Sequence, residues 1–264
     1  MSRLKGTNSA KRKDGSIYYR SSITYKNKHI SLGSYSEALD AHHAYLLAND
    51  LLSNTSITLE HYKAPSLLSF QKWVVLINYR TTGLYFNSPI LLKRNYFIYY
   101  LSQTHALYFD VDDLFYYSNH PIHRRQGYYF VNDYGMQVNL LSRYGIRNHC
   151  VKGKDYIFTD GNDRNFRYDN IDVLNPYHGI EIEHKNNRTL YKARIHLNGN
   201  TIIGRYSDAV TAAIAYNKAI DFVRLHSISQ KRFEKNFIEA MTTEDYKSIY
   251  ATITIGPNLK KLIP

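Results

Sequence analysis

The stretch Leu32–Asp50, LGSYSEALDAHHAYLLAND, returns 171 residues later as Ile203–Asp221, IGRYSDAVTAAIAYNKAID. Identities fall at Gly33/Gly204, Tyr35/Tyr206, Ser36/Ser207, Ala38/Ala209, Ala41/Ala212, Ala44/Ala215, Tyr45/Tyr216, Ala48/Ala219 and Asp50/Asp221. That is 9 of 19 positions without a gap, where ordinary composition gives about one by chance. Upstream, YYRSSI (18–23) matches LYKARI (190–195) at an offset of 172. The hairpin between the matched segments is therefore one residue longer in the first copy. An internal duplication of this kind decides the fold before any single element is assigned.

Both copies read as strand, hairpin, strand and helix. Tyr191, Ala193 and Ile195 alternate with Lys192, Arg194 and His196, the pattern of a half-buried strand. Asn198-Gly199 supplies the residues of a tight primed turn in which both take positive φ, and Thr201–Arg205 makes the next strand. Ser207 is expected as N-cap, with Asp208 at the positive end of the following helix. Ala209, Ala212, Ala215, Tyr216 and Ala219 recur at helical spacing, and their small side chains let the helix lie close to a sheet. The first copy repeats this with Ser36, Glu37, Ala38, Ala41, Ala44, Tyr45 and Ala48.

The ordered set aromatic-x-Ala-x-Ile, hairpin, Leu/Ile-Gly-x-Tyr-Ser, then an Ala-rich helix ending Ala-Tyr-x-x-Ala resembles the Apetala-two/ethylene-response-factor (ERF) DNA-binding domain. The resemblance covers roughly residues 6–52 and 179–225, and the second copy is the stronger match. It implies a three-stranded sheet backed by one helix, with the sheet in the DNA major groove. Alternation then puts Lys192, Arg194 and His196 on the outer face, with Asn200 and Ile202 on the next strand and Arg205 beyond them. The first copy presents Arg20, Ser22 and Thr24, with His29 and Ser31, and Lys11 and Lys13 precede them. Such a set can contact phosphates and base edges. The chain departs from the family pattern at Glu181 and Glu183, where the family's first strand usually presents basic residues. It departs again at Ile202 and Ser31, where an aromatic is usual.

Between the copies, Ile157–Ile171 resembles the metal-site half of the HNH unit of homing endonucleases, with Asp160-Gly161-Asn162, Arg167 and Asn170-Ile171 in register. Val138–Leu141 resembles its hairpin exit. HNH chemistry needs a His to activate water and a metal held by nitrogen or oxygen ligands. In this register the catalytic His position is Phe158, the central Asn position is Phe166 and the earlier His position is Asn139. A Phe can neither accept a proton nor hold a metal. The expectation is a scaffold without nuclease activity, with no catalytic residue, metal or cofactor. Asn139, Asp160 and Asp163 are a weak alternative metal set, as are the pairs His120/His123 and His149/Cys150. Asn170 can equally brace a turn.

Residues 63–121 match nothing nameable. Leu67–Ile77 is expected as a short helix starting near Pro65-Ser66. Leu91–Leu101 fits strand or helix, and the trio Asp110, Asp112 and Asp113 reads as an acidic turn beside aromatic core. The tail contains a helix over Thr243–Ala251, with Thr243 as cap. It is expected to pack on the second repeat or to dimerise.

Composition frames these readings. The 264 residues carry a formal charge of +12, 44% hydrophobic residues, 26 Tyr and a single Cys. Residues 1–31 hold eight basic side chains and one acid, Asp14, whereas 32–62 hold four acids and no Lys or Arg. The single Cys excludes a disulfide scaffold and fits a reducing compartment. No apolar run approaches a membrane span, and the first residues carry no secretory h-region. A basic, aromatic-rich chain points to a polyanion.

The expected fold is α+β, with two small sheet-plus-helix modules around a central mixed α/β HNH-like region and a helical C-terminal tail. The segments are 1–62, 63–121, 122–175, 176–226 and 227–264. The expected function is sequence-specific binding of double-stranded DNA in the cytoplasm, associated with the nucleoid, to regulate transcription or a mobile element. A homodimer is left open. The rivals are a metal-dependent nuclease with misaligned ligands, and a protein-interaction or inhibitor module that keeps the fold without binding DNA.

Overall fold

The computed structural model of the chain describes residues 4–148, 150–239 and 241–263. It divides into two compact units. One runs to Leu140 and includes Asn162–Asn170; the other comprises Leu141–Gly161 and the residues from Ile171 onward. The expected α+β class holds: helices stand beside several small antiparallel sheets.

The first unit opens with β1 (Thr7–Lys11), β2 (Ile17–Tyr25) and β3 (Lys28–Tyr35), paired antiparallel in that order. Helix α1 (Ala38–Ser53) covers one face. Ile23, Ile30 and Leu32 meet Ala44, Tyr45, Ala48 and Leu51 in a core that also takes Trp73, Leu76 and Ile77 from α2 (Phe70–Thr82). Residues 1–62 therefore share their core with the segment that follows. Helix α2 starts three residues later than the sequence suggests. Ser69 Oγ caps it by accepting from the Lys72 N–H at 3.2 Å, while Ser66 Oγ accepts from the Leu68 N–H in the preceding turn.

The ambiguous LLKRNYFIYYL becomes two strands, β4 (Ile90–Leu92) and β5 (Tyr96–Ser102), and β5 pairs on with β6 (His105–Asp110). After the short α3 (Leu114–Asn119) come β7 (Ile122–Arg125), β8 (Tyr128–Asp133) and β9 (Met136–Asn139), a third meander. Part of the Tyr excess is spent here. Tyr35 Oη donates to the Leu67 carbonyl and Tyr79 Oη to those of Tyr25 and Lys26, and Tyr99 Oη accepts from the Ile122 N–H. These rings fill core while their hydroxyls satisfy backbone groups of strands and turns.

The second unit contains a two-stranded ribbon, β10 (Tyr156–Phe158) with β11 (Ile171–Val173). Then follow β12 (Ile180–Lys185), β13 (Arg188–His196), β14 (Asn200–Tyr206) and α4 (Ala209–Leu225). The α4 N-cap is Asp208, not Ser207: its carboxylate accepts from the Thr211 N–H at 2.7 Å. In the first copy Glu37 takes the cap position with no side-chain bond. The tail forms α5 (Thr243–Thr252), capped by Thr242 rather than Thr243, and α6 (Pro257–Lys260). Ile253 and Leu259 join the core of the second repeat, so the tail packs on that repeat.

The two repeats agree below the level of sequence identity. In each, the second hairpin carries a β-bulge at the same place. Ser21 faces Gly33 and Ser22 faces Ser31, leaving Leu32 extra; Ala193 faces Gly204 and Arg194 faces Ile202, leaving Ile203 extra. The Ser22 N–H donates to the Gly6 carbonyl, and the Arg194 N–H to that of Gly179. Both glycines take φ near +76°, at +77° and +75°, under the ring of the matched tyrosine. A Cβ on Gly6 would lie 2.2 Å from Tyr45 Cδ2, and one on Gly179 would lie 2.3 Å from Tyr216 Cε2. The one-residue difference sits at the hairpin tip. Lys26-Asn27 forms a two-residue turn with both φ positive, whereas Leu197–Gly199 is a three-residue turn in which Asn198 stays out of the positive-φ region. The expected Asn198-Gly199 primed turn is therefore absent: His196 pairs directly with Asn200, which leaves three residues to close the loop.

Candidate nucleic-acid interface

The sheets of the two repeats, the first sheet (β1–β3) and the second sheet (β12–β14), each have one face under a helix and one outer face. In the first sheet, Ser21 and Ile23 are buried under α1, so the alternation of β2 turns Tyr18, Arg20, Ser22 and Thr24 outward. Pairing brings Asn8 and Ser34 beside Arg20, Ser31 beside Ser22, and His29 beside Thr24. Thr24 Oγ1 and His29 Nδ1 lie 3.4 Å apart. The Arg20 Nε and Nη2 both donate to Tyr18 Oη, at 3.0 and 2.6 Å. The Arg12 and Arg20 guanidinium carbons stand 5.5 and 5.4 Å from the Tyr18 ring centroid. Lys13 lies exposed in the β1–β2 turn.

Lys11 departs from expectation. It shares the alternation of Thr7 and Ser9 and pairs with Ile17, which puts it on the opposite side of the strand from Asn8. The residues that take its place on the outer face are Arg12 and Tyr18. The signal for Arg12 was the alternation of β1, but TNSAK lacks β-branched and aromatic residues beyond Thr7 and does not announce a strand. Among the described residues, no carboxylate lies within ion-pair distance of Lys11, Arg12, Lys13 or Arg20. The one acid nearby, Asp14, is engaged with Ser16: its carboxylate accepts from the Ser16 hydroxyl at 2.7 Å and from the Ser16 N–H at 2.9 Å. Those bonds, more than the Arg12 charge, hold its carboxyl below the usual range.

The outer face of the second sheet brings together Lys192, Arg194, His196, Asn200, Ile202 and Arg205 as expected, but the cations are engaged. Lys192 Nζ reaches Glu181 at 2.7 Å and Glu183 at 2.6 Å. Arg194 holds Glu181 at 2.5 Å, and Arg205 holds Glu183 at 2.8 Å. The Lys192 and Arg205 hydrogen bonds pull the Glu183 carboxyl down to about 2. The same carboxylates, Glu181 first, raise the Lys192 ammonium above its ordinary value. His196 Nδ1 sits 3.0 Å from Asn200 Oδ1, and Ile202 is half-buried beside Arg194.

The segment resembling an HNH unit is divided between the units, with Asn162–Asn170 in the first. Phe158 and Phe166 are buried, and Phe166 stacks on Phe109 at 5.4 Å. Asn170 Nδ2 donates to the Asn165 carbonyl at 2.8 Å, bracing the turn. Asp110 accepts from Arg167 Nε and the Tyr168 N–H, an acidic anchor for the returning loop. His120 approaches Asp133 at 3.6 Å, while His123 leans on Phe130. His149 lies outside the described residues. Among the described residues, no group of three His, Cys, Asp or Glu is placed to hold a metal, and no helix is long and apolar enough to cross a membrane.

No protein-family model, curated protein or solved structure matches this chain.

Proposed function

We propose that this protein binds double-stranded DNA through the outer face of its first sheet and acts, without catalysing a reaction, as a regulator of transcription or of a mobile element in the cytoplasm. The observation that carries the reading is the Arg12–Tyr18–Arg20 cluster beside Ser22, Thr24 and His29, a face free of ion-paired carboxylates among the described residues. Three strands at about 4.8 Å spacing span roughly 10 Å, which fits a major groove about 12 Å wide. Arg can contact phosphate or the guanine edge, while Ser, Thr and His add short polar contacts.

The test is fluorescence anisotropy of a labelled random duplex with the full chain across a salt series. Counterion release predicts a linear fall of log K with log salt. No binding at low salt overturns the proposal. Selection of bound oligonucleotides from a random duplex pool then shows whether a sequence is read, and magnesium or manganese added to plasmid DNA tests the nuclease alternative by nicking.

A further inference from the structure

The register of the two sheets allows a residue-by-residue comparison of their outer faces. Arg20 corresponds to Lys192, Ser22 to Arg194, Thr24 to His196 and Ser34 to Arg205. On the first strand, Asn8 corresponds to Glu181 and Ala10 to Glu183. The second face thus holds more strand cations than the first, and it alone adds two carboxylates. Each carboxylate bridges two of the cations: Glu181 bridges Lys192 and Arg194, and Glu183 bridges Lys192 and Arg205. The face is partly exposed: Lys192 is 18% and Arg194 37% accessible. A cleft of about 520 Å³ runs along it, lined by Glu181, Glu183, Lys192 and Arg194 on the sheet side and by Lys154 and Asp155 across from them.

We propose that the second sheet is a latent nucleic-acid surface whose affinity for phosphate is withheld by Glu181 and Glu183. The inference rests on the reading of the first sheet as a DNA-binding face. A phosphate approaching Lys192 meets both carboxylates at hydrogen-bond distance from the same ammonium, and like charges so placed oppose docking. The mask is a permanent charge at ordinary pH, because the Glu183 carboxyl stays ionised far below neutrality. In the unmodified chain the first sheet supplies the phosphate contacts and the second supplies few.

The experiment transplants the first sheet's residues into the second. The full-length Glu181→Asn/Glu183→Ala variant is compared with the unmodified chain in random-duplex anisotropy from low to high salt. Removing two negative charges makes about two more phosphate contacts available, so the log–log salt slope is expected to steepen by roughly 1.8 and affinity to rise roughly tenfold or more at 0.1 M salt. Glu181→Gln/Glu183→Gln, which keeps side-chain length and hydrogen bonding, is expected to show the same gain if the double variant folds poorly.

Unchanged affinity and slope in both variants, with the unmodified chain binding, overturns the inference and leaves the proposed function standing. Binding by the variants when the unmodified chain does not bind supports the inference and removes the first sheet's role. No binding by any of the three overturns both.

Discussion

The two repeats share a backbone down to the bulge and the glycine under the tyrosine, yet they differ in what their outer faces do with charge. The first leaves Arg12 and Arg20 gathered on a tyrosine hydroxyl and ring. The second closes Lys192, Arg194 and Arg205 onto two glutamates of its own first strand. Duplication has kept the scaffold and changed the surface. A fold of this size is specified by its small-residue helix and its glycines, whereas partner choice is written in about six outward side chains that packing does not constrain. Function therefore cannot be carried from one copy to the other, even where nearly half of the matched positions are identical.

The largest expected effect tests the shared part of the comparison. Gly6→Ala and Gly179→Ala each place a methyl inside van der Waals contact of a tyrosine ring at positive φ. Overpacking and the left-handed backbone together cost about 2–4 kcal/mol. The cost is expected to be larger at Gly179, where the Arg194 carbonyl oxygen also stands 2.8 Å from the new carbon. The sole tryptophan, Trp73, lies in the same core as Tyr45 and reports the Gly6 variant by fluorescence during denaturant unfolding. Amide exchange along β13 reports the Gly179 variant. A loss below about 1 kcal/mol at either site would mean that the tyrosine moves aside, and that the two copies are not held together in the same way.

The next effect tests where they differ. Arg12→Ala/Arg20→Ala is expected to weaken duplex binding about thirtyfold or more and flatten the salt slope by about two, one for each cation removed. Lys192→Ala/Arg194→Ala is expected to change affinity by no more than about twofold, because those cations are already engaged with carboxylates. Anisotropy at fixed salt separates the pair. If the second variant loses as much as the first, the glutamates do not shield their sheet.

The repeat is legible because glycine, alanine and tyrosine are fixed by geometry: close helix–sheet approach leaves little choice at Ala44 and Ala215, and the rings of Tyr35 and Tyr206 leave little room for a side chain at Gly33 and Gly204. The outer residues of β2 and β13 followed from alternation for the same reason, since their buried neighbours set the phase. What sequence alone missed lies where no such constraint acts. β1 is short and polar, so its sequence alone announces neither the strand that turns Lys11 away from the outer face nor Arg12 and Tyr18 as neighbours. Glu181 and Glu183 were visible as departures from the resemblance, but their pairing with three specific cations depends on strand register. In 90–110 the strands of the first unit bury residues on both faces, and an apolar run without alternation fits helix and strand equally.

The smallest effect is a pH signature at the position where the second sheet has Glu183 and the first has Ala10. The Glu183 carboxyl falls from an ordinary 4.5 to about 2, drawn down first by Lys192 and then by Arg205. A group whose pKa is lower when folded adds stability that is complete above its unfolded value and is lost as pH falls through its folded value. The difference in denaturant midpoint between the unmodified chain and Glu183→Gln should therefore be constant above about pH 5 and shrink steadily as pH falls toward about 2. The group is exposed, so the difference should be small and should fade with added salt. The first sheet has Ala10 at the matching position, so Ala10→Gln should give a difference with no dependence on pH in that range. A Glu183→Gln difference that stays flat from pH 5 to 2 would show that the carboxylate is not held by its two cations in solution. The second sheet would then present Arg205 as openly as the first presents Arg20, with Lys192 still held by Glu181.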